Sequence, residues 1–362
     1  MKVCAISGFG VKGPAAFLLE AGHRRILLDL GEGPEAGVRP DPASIRRLDA
    51  IILSHAHADH CGALELAPTL GDPTIWCTPL VADLVCAGRF GVVRHLPAMG
   101  EAMVEGLPVL TGRAGHAPGG VWMRIGGEHG LLYSGDVSYE SLLFPADTLP
   151  RAAALIVDAS YGDYDTRLDR GIDHIAERAA NRPLLLPAPA GGRGIEMAVV
   201  LHERGFRVGL CPAHLALARV LIAAPGLIAP GAATRLEAAV RAAAPLVLDS
   251  VPQGVMIAAT ADAESGMAAE LVRRWAGDAS VRIIFTGYLA AGSPAMALVQ
   301  EGQAEVVRWN VHPRLSDLRS MINQTQAQFV MPAFLAADAI PDLAAALELG
   351  DRLAGPEFDL AG

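Results

Sequence analysis

Short apolar runs bounded by glycine, proline or charged residues follow one another through the chain, and their spacing predicts strands alternating with helices. Near the N-terminus, residues 15–20 and 25–30 flank the tripeptide Ala21-Gly22-His23. Two apolar runs joined by so short a glycine-containing connection predict a β-hairpin. The later run Ala50-Ile51-Ile52-Leu53 has the β-branched character of a buried strand, and we expect a helix through Leu70 after it.

The second half of the chain continues this alternation. Between residues 164 and 309, helix-length stretches rich in alanine and arginine separate apolar runs such as 207–210 and 245–248. Short strands that alternate with helices predict a parallel α/β unit, so we expect a second domain here. Beyond it, helices are predicted at Ser316–Gln326 and Ile340–Leu353.

Candidate metal ligands follow the buried strand at once, in the stretch Ser54-His55-Ala56-His57-Ala58-Asp59-His60. His55 and His57 are two residues apart, so in extended chain they face the same way and can share one ion. Asp59 and His60, carried round the turn, point toward a second position about 3.5–4 Å away, as two-metal hydrolases require. Imidazole and carboxylate ligands without a thiolate favour Zn²⁺, with Mn²⁺ or Fe²⁺ as the next choices. A single histidine at a strand end is more often structural, but three with an aspartate favour a metal site.

Further polar residues occur at later strand ends. His116 lies between glycines, which allow a backbone to approach an ion closely. The predicted strand before Asp136 and the predicted strand before Asp158 both end in a carboxylate. Groups at successive strand ends lie on one rim of a sheet, so we expect them to meet. Asp29, at the end of the hairpin, either supports the metal loop or is an ordinary turn aspartate.

Composition limits the class of protein. The chain has 52% apolar residues and a mean hydropathy of +0.34, but its best apolar stretch, 220–234, contains two prolines and two glycines, so we expect no transmembrane helix. The N-terminus reaches Gly8 too soon for a signal peptide, which predicts a cytoplasmic protein. The five cysteines form no C-x-x-C pair, so neither a disulfide framework nor a zinc ribbon is indicated. The net charge of −10 argues against broad non-specific binding of polyanions.

Six residues together carry a resemblance to a known family: His55, His57, Asp59, His60, His116 and Asp136. The set resembles the ligands of the metallo-β-lactamase superfamily. The resemblance implies an αββα sandwich with the site along one edge. It assigns the first two histidines and His116 to one ion, Asp59 and His60 to a second ion, and Asp136 to a bridge between them. A metal-bound hydroxide would be the nucleophile.

The segment after residue 158 resembles the β-CASP branch of that superfamily, the nucleases that include RNase J and the cleavage factor of mRNA 3′-end formation. Asp158-Ala159-Ser160-Tyr161-Gly162 is similar to the acidic first motif of the branch, and His312 falls where its histidine motif is expected. The branch inserts a parallel α/β cap domain into the hydrolase domain. The resemblance therefore implies a metallo-β-lactamase domain of residues 1–163 and 310–362 and a β-CASP cap of residues 164–309.

These features predict a zinc-dependent hydrolase, in first place a nuclease that cuts RNA or single-stranded DNA. One or two Zn²⁺ ions are expected, with Mn²⁺ as the second choice. Asp59 would orient the water or take its proton, and the pair Asp158 and His312 would protonate the leaving oxygen. His312 could instead be an ordinary surface histidine. A homodimer is left open.

Two other classes of function are compatible with the sequence. The net acidity and the absence of a basic tail favour a small-molecule hydrolase that acts on an ester, lactone, thioester or cyclic phosphodiester. A scaffold protein with a degenerate site is favoured only by Phe334, which stands where RNA-active members of the branch carry a histidine ligand. Without that ligand the second ion binds more weakly, and single-metal chemistry becomes an alternative.

Overall fold

The computed structural model describes residues 1–35 and 37–360 and divides into two compact units. The first unit comprises Met1–Tyr139, Pro145–Asp165 and His312–Gly362, and the second comprises Glu140–Phe144 and Thr166–Val311. The segment 140–144 thus packs with the second unit, although it lies within the predicted first domain. The predicted boundaries at 163/164 and 309/310 stay predictions.

The first unit contains a seven-stranded sheet in the order β19-β1-β2-β3-β4-β5-β6. Neighbours from β19 to β3 are antiparallel, and those from β3 to β6 are parallel. The predicted hairpin is confirmed as the pair β2 and β3. The strands are β1 (Lys2–Ser7), β2 (Ala16–Ala21), β3 (Arg24–Leu28), β4 (Ala50–Ile52), β5 (Thr74–Cys77), β6 (Val93–His95) and β19 (Glu357–Asp359).

A second, six-stranded sheet of the same unit has the order β18-β11-β10-β9-β8-β7. Its strands are β7 (Gly100–Val104), β8 (Leu107–Arg113), β9 (Val121–Ile125), β10 (Leu131–Tyr133), β11 (Ala154–Asp158) and β18 (Phe329–Ala333). Strands β10, β11 and β18 run parallel, so their carboxyl ends meet at one rim of the sheet.

Alternating side chains build the core of this unit. Ile26 and Leu28 face the second sheet, where they pack with Met123 and Ile156, while Leu27 between them faces the opposite side. Outer layers of short helices cover the outer face of each sheet. The predicted αββα sandwich is therefore confirmed.

The helices of the first unit are mostly short. They are α1 (Pro42–Ile45), α2 (Ala58–Cys61), α3 (Pro79–Val81), α10 (Leu315–Thr325) and α11 (Ile340–Ala346), with 3₁₀ turns at Leu64–Leu70, Gly127–His129, Ala337–Ala339 and Gly350–Arg352 and a π-helical turn at Ala82–Cys86. The prediction of one helix through Leu353 is wrong: α11 ends at Ala346 because Glu348 and Gly350 adopt left-handed backbone, with φ of 55° and 52°.

The second unit is built on a six-stranded sheet in the order β14-β13-β15-β12-β16-β17, in which every neighbouring pair is parallel. Apolar residues pack on both faces, as predicted for a parallel α/β unit. The strands are β12 (Leu184–Pro187), β13 (Val208–Leu210), β14 (Ala244–Pro245), β15 (Val255–Ala258), β16 (Arg282–Phe285) and β17 (Glu305–Val306). The helices are α4 (Leu168–Asn181), α5 (Arg193–Glu203), α6 (Pro212–Ala223), α7 (Ala232–Ala242), α8 (Gly266–Trp275) and α9 (Pro294–Gln300), with a 3₁₀ turn at Pro225–Leu227.

Within the described part of the chain, helices that combine the length and the apolar character needed to cross a membrane do not occur.

Candidate metal centre

Strand ends of the first unit deliver the candidate ligands to one place. His55 follows β4, His116 follows β8, Asp136 follows β10, and Asp158 is the last residue of β11. All four are buried. Because these elements belong to both sheets of the sandwich, the site is assembled only when the sheets pack together.

The tightest cluster consists of His55, His57, His116 and Asp136. His57 Nδ1 lies 3.1 Å from His55 Nε2 and 2.9 Å from His116 Nε2. The Oδ2 atom of Asp136 lies 3.4 Å from His116 Nε2 and 3.8 Å from His55 Nε2. Four donors placed about 2.0 Å from one ion in a tetrahedral array are about 3.3 Å apart. The observed separations and the chemistry of the donors therefore fit one divalent ion.

A second group of donors adjoins the first. Asp59 and His60 lie in the one-turn helix α2, and a ligand atom of each lies within 4.8 Å of one on His55. His60 Nε2 is 3.2 Å from Asp136 Oδ1, whereas His55 and His116 approach Oδ2 of the same carboxylate. The two oxygens of Asp136 thus face different donor groups, which is the arrangement that a bridging carboxylate needs.

A buried hydrogen-bond network holds the second group in place. Asp29 Oδ1 accepts from the Ser54 backbone N–H at 2.7 Å. Its Oδ2 accepts from the Ser54 hydroxyl at 2.7 Å and from the Tyr133 hydroxyl at 2.6 Å, and it lies 2.7 Å from His60 Nδ1. Asp29 is fully buried, so these contacts fix the orientation of the His60 ring.

His312 extends the cluster on its other side. Its Nδ1 lies 2.8 Å from Asp158 Oδ2 and 3.7 Å from Asp136 Oδ2. The Asp158 carboxylate also accepts from the backbone N–H groups of Val137 and Ser160. Asp158 is therefore held firmly, and one nitrogen of His312 is committed to it.

The electrostatics of the cluster are those of closely packed opposite charges. Burial, with the neighbouring histidines, holds the pKa of His55 well below its ordinary value. Burial also lowers the pKa of His60, but the carboxylates of Asp136 and Asp29 outweigh it and raise that pKa well above its ordinary value. For Asp136, burial acts to raise the pKa, and the surrounding histidines outweigh it and hold the pKa well below its usual range. An ionised Asp136 and a neutral His55 are the forms that can ligate a cation.

Phe334 lies beside the second donor group. It follows β18 directly with a left-handed φ of 63°, and it is 3% exposed. Its ring lies edge-on to that of His60, with centroids 5.1 Å apart. The neighbouring parallel strands β10 and β11 deliver carboxylates to this rim, whereas β18 delivers an apolar ring.

The structure brings every predicted site residue into one region. Their roles as ligands or catalytic groups remain hypotheses. Sequence reasoning left Asp29 open between two roles and missed Tyr133. Tyr133 precedes Asp136 by three residues on the same strand end, but its partner Asp29 is 104 residues away in the chain, and no local pattern signals such a contact.

Comparison with known proteins gives matches of several kinds. Residues 10–173 match the family model of the metallo-beta-lactamase superfamily. Transcription termination factor FttA of Methanosarcina mazei is 28% identical over 261 residues, which cover 59% of this chain and 40% of that protein. A ribonuclease of Thermus thermophilus is 30% identical over 236 residues, covering 56% of this chain and 54% of the relative. An RNase J-like protein of Methanocaldococcus jannaschii is 29% identical over 217 residues, covering 51% and 50%.

The chain therefore spans between two fifths and about half of the length of these curated relatives. Among solved structures, a protein of unknown function from Enterococcus faecalis V583 matches with a TM-score of 0.58 and 13% identity. That match covers 92% of this chain and 94% of the other, and it supports the fold alone.

The hydrogen-bond network around Asp29 leads to a stability prediction. Replacing Asp29 with alanine removes the acceptor of two hydroxyls, a backbone N–H and an imidazole in a buried setting. We expect the metal-free variant to lose about 3 kcal/mol or more of unfolding free energy. Urea denaturation measures this, with Asp169→Ala, at an exposed position, as a control expected to lose far less. A loss below about 1 kcal/mol for Asp29→Ala would contradict the network.

Proposed function

Because the chain carries a metallo-β-lactamase domain, we propose that it is a metal-dependent nuclease that acts on RNA. The observation that carries the proposal is the convergence of three imidazoles and a carboxylate, with donor atoms 2.9 to 3.8 Å apart, at one rim of that domain. The names of the relatives, which include a ribonuclease and an RNase J-like protein, support a nucleic-acid substrate and are consistent with the β-CASP nuclease branch.

Zn²⁺ is the metal that we propose, since four closely spaced nitrogen and carboxylate donors suit it best, with Mn²⁺ as the second choice. His55, His57, His116 and Asp136 would hold one ion, and Asp59, His60 and Asp136 a second. A divalent ion bound there would supply Lewis-acid activation of water and charge stabilisation for a phosphodiester.

The protein groups around these positions have separate tasks. Asp59 is a partly exposed member of the second donor group, so it can orient the attacking water or accept its proton. His312, whose Nδ1 lies against Asp158, would carry the proton for the leaving oxygen on its other nitrogen. Asp29, Ser54 and Tyr133 fix the His60 ring so that its Nε2 lies next to Asp136 Oδ1.

One prediction tests the nuclease assignment directly. Purified protein with Zn²⁺ should hydrolyse labelled single-stranded RNA, and His57→Ala should lower kcat/KM at least about a hundredfold, because loss of a ligand removes several kcal/mol of charge stabilisation. The matched control is His129→Ala, an exposed histidine of a surface turn, which should retain wild-type activity.

Other outcomes of that assay would identify the alternatives. If His57→Ala cleaves RNA and single-stranded DNA as fast as wild type, the nuclease proposal fails. If wild type hydrolyses carboxylic or thioesters but no phosphodiester, the protein is a small-molecule hydrolase. If it retains no metal after careful purification and hydrolyses neither class, the scaffold interpretation replaces ours.

A further prediction concerns the second ion. With the apolar ring of Phe334 against His60, the second position has three protein donors, so we expect it to bind more weakly than the first. After zinc loading and dialysis, wild type should retain about one ion per chain and Phe334→His about two. Elemental mass spectrometry measures the ratio, and Phe334→Leu, which adds no donor, should behave like wild type. Equal stoichiometry in Phe334→His and Phe334→Leu would contradict this placement of Phe334.

A further inference from the structure

Several side chains lie close to the imidazole of His312, and Asp136 Oδ2 is 3.7 Å from its Nδ1. The carboxylate of Asp158 lies 2.8 Å from Nδ1. The ring of His116 lies 5.0 Å away between centroids at an interplanar angle of 36°. The ring of Tyr161 also lies 5.0 Å away, but edge-on at 79°. The side chain of His312 is 13% exposed, so packed neighbours, the ring of Tyr161 among them, limit its rotation.

The backbone around Tyr161 is tied to the segment that carries His312. Tyr164 N–H donates to the Tyr161 carbonyl at 3.1 Å, and Leu315 N–H donates to the Tyr164 carbonyl at 2.9 Å. Ser316 N–H donates to the Asp165 carboxylate at 2.9 Å. The ring of Tyr164 packs edge-on against that of Tyr161, with centroids 5.7 Å apart. The loop therefore places the Tyr161 ring at a fixed distance from the imidazole.

A hydrogen bond to one nitrogen leaves the imidazole able to swing about that contact. Asp158 fixes the Nδ1 position but not the plane of the ring, and His116 contacts it at an oblique angle. The ring of Tyr161, packed at 79° to the imidazole, restricts this rotation. At the upper end of the range for such contacts, the packed orientation is favoured about tenfold.

We propose that Tyr161 is a positioning residue that fixes the ring plane of His312, so that Nε2 is aimed at the leaving oxygen of the phosphodiester. The inference rests on the proposed function, in which His312 is the general acid. In that step the oxygen of the attacking water forms a bond to phosphorus and its proton passes to Asp59, while the bond from phosphorus to the leaving oxygen breaks. The oxygen takes the electron pair and receives the proton from Nε2–H of the imidazolium. His312 becomes the neutral tautomer whose Nδ1–H still donates to Asp158.

Comparing two substrates with different leaving groups distinguishes loss of His312 positioning from a general disruption of the active site. The leaving group of an RNA phosphodiester is a ribose alkoxide, which needs the proton. The leaving group p-nitrophenolate departs readily without it. We expect Tyr161→Leu to lower kcat on single-stranded RNA about tenfold or more, a part of the range that general-acid catalysis supplies. On bis(p-nitrophenyl) phosphate it should stay within about threefold of wild type. Tyr161→Phe, which keeps the ring, should stay near wild type on both substrates.

A double-variant comparison sharpens the result. If Tyr161 acts through His312, Tyr161→Leu should have no further effect on RNA cleavage in a His312→Ala background. Equal losses on the two substrates, additive losses with His312→Ala, or a loss in Tyr161→Phe as large as in Tyr161→Leu would each overturn the proposal. If the inference about Tyr161 fails but the wild-type protein cleaves RNA in the same assay, the proposed function still stands.

A spectroscopic measurement tests the same claim without activity. In ¹⁵N-histidine-labelled zinc-loaded protein, wild type and Tyr161→Phe should show one set of ring signals for His312, as expected for a ring held in one orientation. Tyr161→Leu should show averaged or doubled signals for this ring, with the remaining histidine signals unchanged. An unaltered His312 signal in Tyr161→Leu would overturn the inference even if wild type were inactive on RNA.

Discussion

The constraint on which the site depends is the close burial of several imidazoles with a carboxylate. His57 Nδ1 lies about 3 Å from two other ring nitrogens, and Asp136 lies next to four histidines in all. Removing such groups from water costs free energy unless each is paired. A shared cation satisfies these donors together, which is why the arrangement favours a metal centre over a structural polar cluster.

The sandwich supplies this arrangement by geometry. Strands β10, β11 and β18 run parallel and end at one rim, and β4 of the facing sheet ends where the histidine-rich turn begins. Each ligand therefore lies within three residues of a strand end, or in or directly before the one-turn helix α2. The Asp29 network adds a second layer of hydrogen bonds, so the position of His60 is fixed by the core as well as by the short helix that carries it.

Much of this could be predicted from the sequence because the signals are local. The spacing of His55, His57, Asp59 and His60 after an apolar run places them on one turn, and the alternation of strands and helices predicts both units. Contacts between distant residues carry no such pattern. The bond from Tyr133 to Asp29 and the packing of Tyr161 on His312 became visible only in the structure. The helix expected through Leu353 is shorter because local propensity could not anticipate a left-handed turn at Glu348.

The effect of Phe334 on the site could be predicted from the sequence only in part. Its sequence position indicates a missing donor, but only the structure places its ring against His60. The two halves of the centre are consequently unequal, with four donors around one position and three around the other.

The central claim is that His55, His57 and His116 bind one ion together. The most direct test is a crystal structure of zinc-loaded protein with anomalous scattering recorded at the zinc edge. We expect a strong peak bonded to His55 Nε2, His57 Nδ1 and His116 Nε2 at about 2.0–2.1 Å. A zinc-loaded crystal with no peak at these three nitrogens, or with zinc bound only elsewhere, would contradict the account.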